Sequence, residues 1–312
     1  MNRPPRIVSL GEVLWDLLPS GAQLGGAPGN FACHCRALGA EAALISCVGA
    51  DDLGDEALRH LSARGVNVSQ LRRTNRYPTG TVAVEVADDG QPRFTIREQV
   101  AWDQLAATEP ALRLVSAADV VCFGSLAQRT PAARDALRKL VQAAPPSALR
   151  VCDINLRAPF CSPEVIVGSL ELANVLKLNE TELPMLAAQF ALRGSAEEQL
   201  DRLAEQFGLH TVALTLGAAG SRVRRKGKWT SEPGRAVKVV DAVGAGDAYT
   251  AALVMGLLQA WPTAELLAAA TEIAAYVCTQ PGATPTLPAA LTAPFQARSA
   301  PADTLTVLRS NA

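Results

Sequence analysis

The feature that most constrains this chain is a repeated exchange of short apolar runs for longer amphipathic ones after residue 119. Val120–Phe123, Val151–Ile154, Val175–Leu178 and Val212–Leu216 are four or five residues long and mostly apolar. Runs of that length suit strands covered on both faces. The intervening segments, such as Pro131–Ala143 and Ala196–Phe207, carry apolar residues at helical spacing. Strands that alternate with helices fold as β-α-β units with right-handed crossovers. The expected fold class is therefore α/β, a doubly wound, mostly parallel sheet flanked by helices. Ligands on such a sheet bind at the carboxyl ends of the strands, where the chain order reverses.

The first hundred residues add to this pattern. Ile7–Leu10 and Val13–Leu18 read as strands, Gly21–Gly29 as a Gly-rich loop, and Asn30–Leu38 as a helix ended by Gly39. Ala42–Val48 reads as a strand and Leu53–Arg64 as a helix closed by Gly65. Gln70–Arg73, Gly80–Val86 and Pro92–Arg97 are shorter strand candidates, with Asp88-Asp89-Gly90 as a turn between the last two. They predict a small antiparallel insertion. Val237–Val240 reads as a further strand, and two strongly apolar helices follow at about Ala245–Ala260 and Thr263–Cys278. From Thr284 the chain is rich in Pro, Ala and Thr. At 312 residues the length suits two domains or one large one with a lobe. The expectation is one domain over 1–312, with a small β lobe from about 12–24 and 70–103 and a flexible tail over about 289–312.

Composition removes several classes of function. Lys plus Arg is 29 and Asp plus Glu is 30, a net charge of −1, so there is no broad basic field for nucleic acid. Mean hydropathy is +0.14, yet no stretch approaches the ~18 uninterrupted apolar residues of a spanning helix. No membrane partner is expected. The run Ile7–Leu10 ends at Gly11-Glu12, too short for a secretory signal, so a cytoplasmic location is expected. Seven scattered cysteines fit reduced thiols better than a disulfide framework. Cys33 and Cys35 point in different directions on one helix and have no matching pair, which speaks against zinc. His34, His60 and His210 stand apart from every motif and read as ordinary helix or strand residues.

The segment that carries chemistry is Asp241-Ala-Val-Gly-Ala-Gly-Asp247, at the mouth of the first apolar helix. Gly244 and Gly246 allow a tight turn and a close ligand. Free N–H groups at a helix start attract a phosphate. Asp247, one residue further in, is placed to take a proton from a hydroxyl that attacks a phosphoryl group, and the helix dipole favours its ionised form. A Gly-rich turn capped by an Asp satisfies the same pattern. There is no G-x-x-x-x-G-K-[ST], no G-x-G-x-x-G after the first strand and no protein-kinase catalytic loop.

Asp241–Asp247 resembles the signature of the ribokinase-like (PfkB-type) sugar kinases, and other landmarks of that family follow in order. Gly11-Glu-Val-Leu-Trp-Asp16 is similar to its opening strand pair and Gly25-Gly-Ala-Pro-Gly-Asn30 to its N-terminal Gly-Gly signature. Asp153-Ile-Asn-Leu-Arg157 resembles D-x-N-x-R, Asn179-Glu-Thr-Glu182 matches N-x-x-E, and Thr215-Leu-Gly217-Ala-Ala-Gly220 matches T-x-G-x-x-G. Gly282-Ala283 matches a late turn near the adenine pocket. The resemblance runs from about residue 6 to 288. The form G-G-A-P-x-N after E-V-L-W-D resembles fructokinases. Gly29 stands where those commonly have Ala, and Ala242 where Thr is usual, which removes one hydroxyl from the phosphate loop.

The resemblance implies an ATP- and Mg²⁺-dependent sugar kinase, fructose to fructose 6-phosphate before other sugars or sugar acids such as ribose or 2-keto-3-deoxygluconate. It implies that Asp247 is the base and that Gly244, Ala245 and Gly246 form the anion hole. Asp16, Gly25, Gly26, Asn30, Arg97 and Arg157 would contact the sugar, and Asn179, Thr215, Gly217, Gly220, Gly282 and Ala283 the ATP. Glu182 and Asn179 would organise Mg²⁺ through water, and Asp241 would help hold K⁺. The inserted strands would form a lid, and lids often pair in this family, so a homodimer is expected. Each residue also has a plainer reading. Asp16 suits a turn, Asn30 a helix cap, Arg157 a surface ion pair, Arg97 an edge-strand charge, and Asn179 with Glu182 a capping pair. A non-catalytic sugar or nucleotide sensor on the same scaffold is the alternative outside enzymology.

Overall fold

The computed structural model describes residues 3–18, 21–86 and 92–297. The chain enters on strand β1 (Arg6–Leu10) and turns out through β2 (Leu14–Leu18) and β3 (Gly21–Gly25). It returns by helix α1 (Ala27–Ala37), β4 (Glu41–Gly49), α2 (Asp52–Ala63) and β5 (Asn67–Thr74). Next come β6 (Gly80–Val86), β7 (Pro92–Ile96), α3 (Glu109–Ser116), β8 (Val120–Phe123), α4 (Pro131–Gln142) and β9 (Leu149–Asp153). They are followed by α5 (Pro163–Leu172), β10 (Val175–Asn179), α6 (Leu183–Gln189), α7 (Ala196–Phe207) and β11 (Thr211–Thr215). The hairpin β12 (Ser221–Arg225) and β13 (Lys228–Glu232) leads to α8 (Ala245–Leu258), α9 (Thr263–Cys278) and α10 (Ala289–Ala297).

Nine strands form one sheet in the order β13-β12-β11-β10-β9-β8-β1-β4-β5. Every pairing from β5 to β11 is parallel, and β12 runs antiparallel to both of its neighbours, β11 and β13. This is the doubly wound α/β sheet expected from the alternation. Helices α1, α2, α8 and α9 cover one face and α3, α4, α5, α6 and α7 the other, each over its own apolar core. Helix α8 is buried from Ala248 to Leu257 and shows no polar face, as a helix packed on all sides must. Chain order reverses between β1 and β8, so the crevice outside their carboxyl ends is the place a ligand can enter. A second sheet, β3-β2-β6-β7, stands beside that crevice. Among the described residues no helix is long and apolar enough to cross a membrane.

Several expectations need correction. Residues 21–25 are not loop: they pair antiparallel with β2, whose edge supplies the ladder that Gly-Ala-Gln-Leu-Gly does not advertise. Helix α1 begins at Ala27, with Pro28 in its first turn, so Asn30 lies inside the helix and does not cap it. Residues 70–74 belong to β5, the edge strand parallel to β4 in the large sheet, and not to the small one. Only Leu71 of that strand is buried, and a polar edge strand gives no sign of which sheet it joins. Val237–Val240 form no strand; Val239 and Val240 are 60% exposed, and the N–H groups of Val240 and Asp241 both reach the Cys278 carbonyl. Nor is the chain from 289 a flexible tail throughout. Ala289–Ala297 is helix α10, docked by Phe295 stacked on Trp261 with ring centroids 4.6 Å apart. The turn expected at 88–90 and the last part of the tail, 298–312, lie outside the described residues.

Candidate active site

The glycine turn occupies the mouth of α8. Gly244 is the N-cap residue and adopts φ 80°, a left-handed conformation that a side chain would strain. A Cβ there would also lie 2.6 Å from Ala283 Cα and collide with the Ala283 carbonyl. The turn therefore packs directly against the Gly282–Ala283 segment. Asp241 ties the two together: one carboxylate oxygen accepts from the Val243 N–H at 3.0 Å and the other from the Gly282 N–H at 3.1 Å. Ala245 and Gly246 follow in the first helical turn, both half-buried.

Asp247 faces a cavity at the carboxyl edge of the sheet, shared with Glu12, Asp153 and Asn155. Asn30, from the first turns of α1, donates through Nδ2 to Asp247 Oδ2 at 2.9 Å. Its position predicts that the helix dipole keeps this carboxylate ionised, and the structure corrects that expectation. Burial first, and the neighbouring Asp153 second, push its pKa up to about 7, against the Asn30 hydrogen bond and Lys177. A carboxyl near pH 7 is matched to taking a proton from an alcohol and giving it up again.

Beneath Asp247 lies a buried charge cluster that sequence reasoning missed. Lys177 Nζ sits 3.1 Å from Asp153 Oδ1. The Thr250 hydroxyl is 2.9 Å from both Asp153 Oδ2 and the Gly246 carbonyl. Burial opposes the Lys177 ammonium, but Asp153, Glu182 and Asp247 outweigh it and hold its pKa above the ordinary lysine value. The signal was available, since a lysine inside the apolar run Val-Leu-Lys-Leu is costly unless paired. Its partner, Asp153, opens the D-x-N-x-R segment that was noted without a role for this residue.

Asn179 and Glu182 form a reciprocal cap. Asn179 Oδ1 accepts from the Thr181 and Glu182 N–H groups at 2.9 and 3.0 Å. Glu182 Oε2 accepts from the Asn179 N–H at 2.8 Å, and Oε1 from the Leu156 N–H at 2.9 Å. Burial, then Asp153, raises the pKa of Glu182 against the pull of Lys177. The plainer capping role is thus real, and it also fixes the carboxyl at the edge of the charge cluster.

On the small sheet, Asp16 projects from β2 toward Gly25, where any Cβ would strike its carboxylate. Burial raises its pKa, Arg157 opposes this and Asp241 adds to it, so these three charges share one neighbourhood. Gly26 is the N-cap residue of α1. Arg157 is exposed past the end of β9. Arg97 is exposed beyond β7, tied to the body through its carbonyl, which accepts from Arg129 Nη2 at 2.9 Å. Thr215 ends β11, its hydroxyl 3.3 Å from the Leu178 carbonyl, and Gly217 and Gly220 flank the short turn that follows. His34 is not remote from the motifs. It is buried on α1 one turn after Asn30, and its Nε2 lies 3.0 Å from the Ala283 carbonyl. Burial lowers its pKa to about 4, so the ring is neutral and donates this bond.

A profile of the pfkB family of carbohydrate kinases matches residues 21–290. The chain belongs to this family. The carbohydrate kinase is 29% identical over 270 residues to a putative sugar kinase of Pyrococcus horikoshii, covering 81% of this chain and 83% of that one. It is 28% identical over 260 residues to a fructokinase of Escherichia coli, covering 80% and 83%. The structure of a Vibrio cholerae fructokinase, described with bound fructose, ADP and calcium, superposes with a TM-score of 0.76 at 25% identity, covering 93% and 98%. Ribokinase-like neighbours of lower identity share the fold, among them an Escherichia coli protein with a TM-score of 0.82.

Proposed function

We propose that this carbohydrate kinase transfers the γ-phosphoryl group of ATP to a hydroxyl of a neutral sugar, with fructose, giving fructose 6-phosphate, as the preferred substrate. The observation that carries the reading is Asp247. It is a half-buried carboxyl with a pKa about 7, held by Asn30 behind the glycine turn at the mouth of α8 and open to a cavity.

Asp247 takes the proton of the attacking alcohol, and the N–H groups of Gly244, Ala245 and Gly246 neutralise charge on the transferred group. Asp16, Asn30 and the backbone at Gly25 and Gly26 hold the sugar, with Arg157 beside them and Arg97 reaching in from the small sheet. Thr215, Gly217 and Gly220 line the phosphate and ribose side, with Asn179, Gly282 and Ala283 next to them. The small sheet acts as a lid that keeps water from the phosphoryl group. Carboxylates outnumber cations around this crevice. Glu12, Asp16, Asp153 and Asp247 face Lys177 and Arg157, which favours a neutral sugar over a sugar acid.

The donor set fits Mg²⁺ held through water. No three metal-ligating side chains converge among the described residues, and both Glu182 oxygens already accept N–H bonds. Mg²⁺ keeps much of its hydration shell and takes one or two carboxylates plus substrate phosphates. Glu182 and Asn179 are the residues assigned to it, and bound there it would neutralise phosphate charge. Asp241 would contribute to a K⁺ site beside the turn. Leu17, 41% exposed on β2, suits pairing of two lids in a homodimer, which sedimentation analysis tests.

The functional test is ADP release from ATP and Mg²⁺ across a panel of sugars. Fructose-dependent release supports the proposal, and release with only a sugar acid redirects the substrate assignment. Sugar binding without turnover for any member marks a sensor. Asp247→Asn is expected to retain ATP binding and to lose at least ~10²-fold in kcat.

A further inference from the structure

Arg129 stands just past the carboxyl end of β8, after the short turn Leu126–Gln128, and its side chain is only 4% exposed. It forms a two-armed pair with Asp103, itself 6% exposed: Nε lies 2.7 Å from Oδ1 and Nη2 lies 2.8 Å from Oδ2. Nη2 also donates to the Arg97 carbonyl at 2.9 Å. The guanidinium carbon sits 3.7 Å from the Trp102 ring centroid and 5.0 Å from that of Phe160. A charge is taken out of water only where a partner compensates it. Here both polar partners, Arg97 and Asp103, lie on the chain that leaves the small sheet. Between them Gln99 adopts φ 56°, a left-handed conformation that a side chain keeps only when its surroundings hold it. Arg129 thus spans a strained turn, gripping the backbone before it and the side chain after it.

We propose that Arg129 is the positioning residue that sets the small sheet over the crevice and, through that sheet, the affinity for sugar. The inference rests on the sugar contacts proposed above for Asp16 and Arg97. The position of Arg97 passes across the small sheet along its ladder. The Arg97 N–H donates to the Thr81 carbonyl at 3.0 Å. Its neighbour Ile96 pairs with Val82, and Val82 pairs on its other side with Asp16. A shift of the Arg97 backbone is therefore felt in the row that carries Asp16.

The chain that enters β6 is anchored separately. The Thr79 N–H and hydroxyl donate to Asp51 at 2.8 and 2.6 Å, and the Thr79 hydroxyl accepts from the Gly49 N–H at 2.9 Å. The Ala101 N–H donates to the Pro78 carbonyl at 2.8 Å and joins the two connections. The entering connection is fixed to β4 and the start of α2, so the leaving one, braced by Arg129, decides the tilt. Only a planar fork serves there. A lysine ammonium keeps the charge facing Asp103, but it is a single nitrogen and cannot hold both Asp103 oxygens and the Arg97 carbonyl.

Two measurements on Arg129→Lys test this. Trypsin cuts on the carboxyl side of arginine, and Arg97 is exposed, so the bond after it is the one whose carbonyl Arg129 holds. Cleavage there, read by fragment mass, is expected to quicken at least ~10-fold, with cleavage elsewhere within ~2-fold of the parent. Steady-state kinetics should show KM for fructose raised at least ~10-fold, with KM for ATP and kcat within ~3-fold. If Arg129→Lys does not fold, the double variant Arg129→Gln with Asp103→Asn, which leaves no buried charge, carries both measurements. Cleavage after Arg97 at the parent's rate, or quickened at every site together, overturns the brace. An unchanged KM for fructose, or kcat and both KM values worsening together, overturns its link to the sugar. A parent that releases no ADP with any sugar overturns the kinase reading instead, and the cleavage rates then decide the brace alone.

Discussion

Replacing Asp247 with Asn is expected to stabilise the empty protein, and by an amount that depends on pH. In the folded chain this carboxyl titrates near 7, and its ordinary value is 3.8. Below the ordinary value both folded and unfolded chains carry the proton, and folding gains or loses nothing from it. Between the two values the unfolded chain has released the proton and the folded chain has not, so each rising pH unit removes about 1.4 kcal/mol from the folded state. Above about 7 both are ionised and the loss is complete. Asn does not titrate. The stability of Asp247→Asn relative to the parent therefore grows by about 2.7 kcal/mol between about pH 5 and about pH 8. Whatever contact Asn makes with Asn30 is the same at both pH values and drops out of the difference. The assay is urea unfolding of both proteins at the two pH values, followed by tryptophan fluorescence. An offset between the proteins that does not change with pH would refute the raised pKa, and with it the match of this carboxyl to general-base work.

Sugar-dependent kcat/KM is expected to fall about tenfold per pH unit below about 7, because the base must be ionised; a flat profile down to about pH 5 contradicts this. Gly244→Ala forces a Cβ against the Ala283 backbone at φ 80°, and kinetics should show a kcat loss on the order of 10² from a displaced anion hole. Lys177→Met leaves Asp153, Glu182 and Asp247 buried without their cation, and unfolding should show about 3–5 kcal/mol of lost stability. His34→Ala leaves the Ala283 carbonyl without its donor; a stability loss of about 1–3 kcal/mol is expected, with Gln recovering part of it.

The sheet was legible because its strands announce themselves. Val120–Phe123 is apolar on both faces and Val175–Leu178 is interrupted only by Lys177, and β8 and β10 fall where those runs lie. Edges and small sheets were not legible in the same way. Gln70–Arg73 has the polar look of an insertion, yet it pairs with β4, since an edge strand is defined by its neighbour and not by its own residues. Val237–Val240 has the look of a strand and finds no partner, so a good β-forming run remains coil. Thr284 onward reads as a loose tail because of its prolines, but Phe295 finds Trp261 and a helix docks there.

The same division runs through the site. The order of residues alone determined the parallel α/β class, the glycine turn before α8 and the carboxylate that follows it, because these depend on local spacing and backbone freedom. Tertiary structure alone decided the state of that carboxylate and its company. Asn30 lies 217 residues from Asp247, and Lys177 and Asp153 come from neighbouring strands. The proton affinity of a buried acid is set by which charges and dipoles surround it and by how much water they displace, and those distances exist only once the chain has folded.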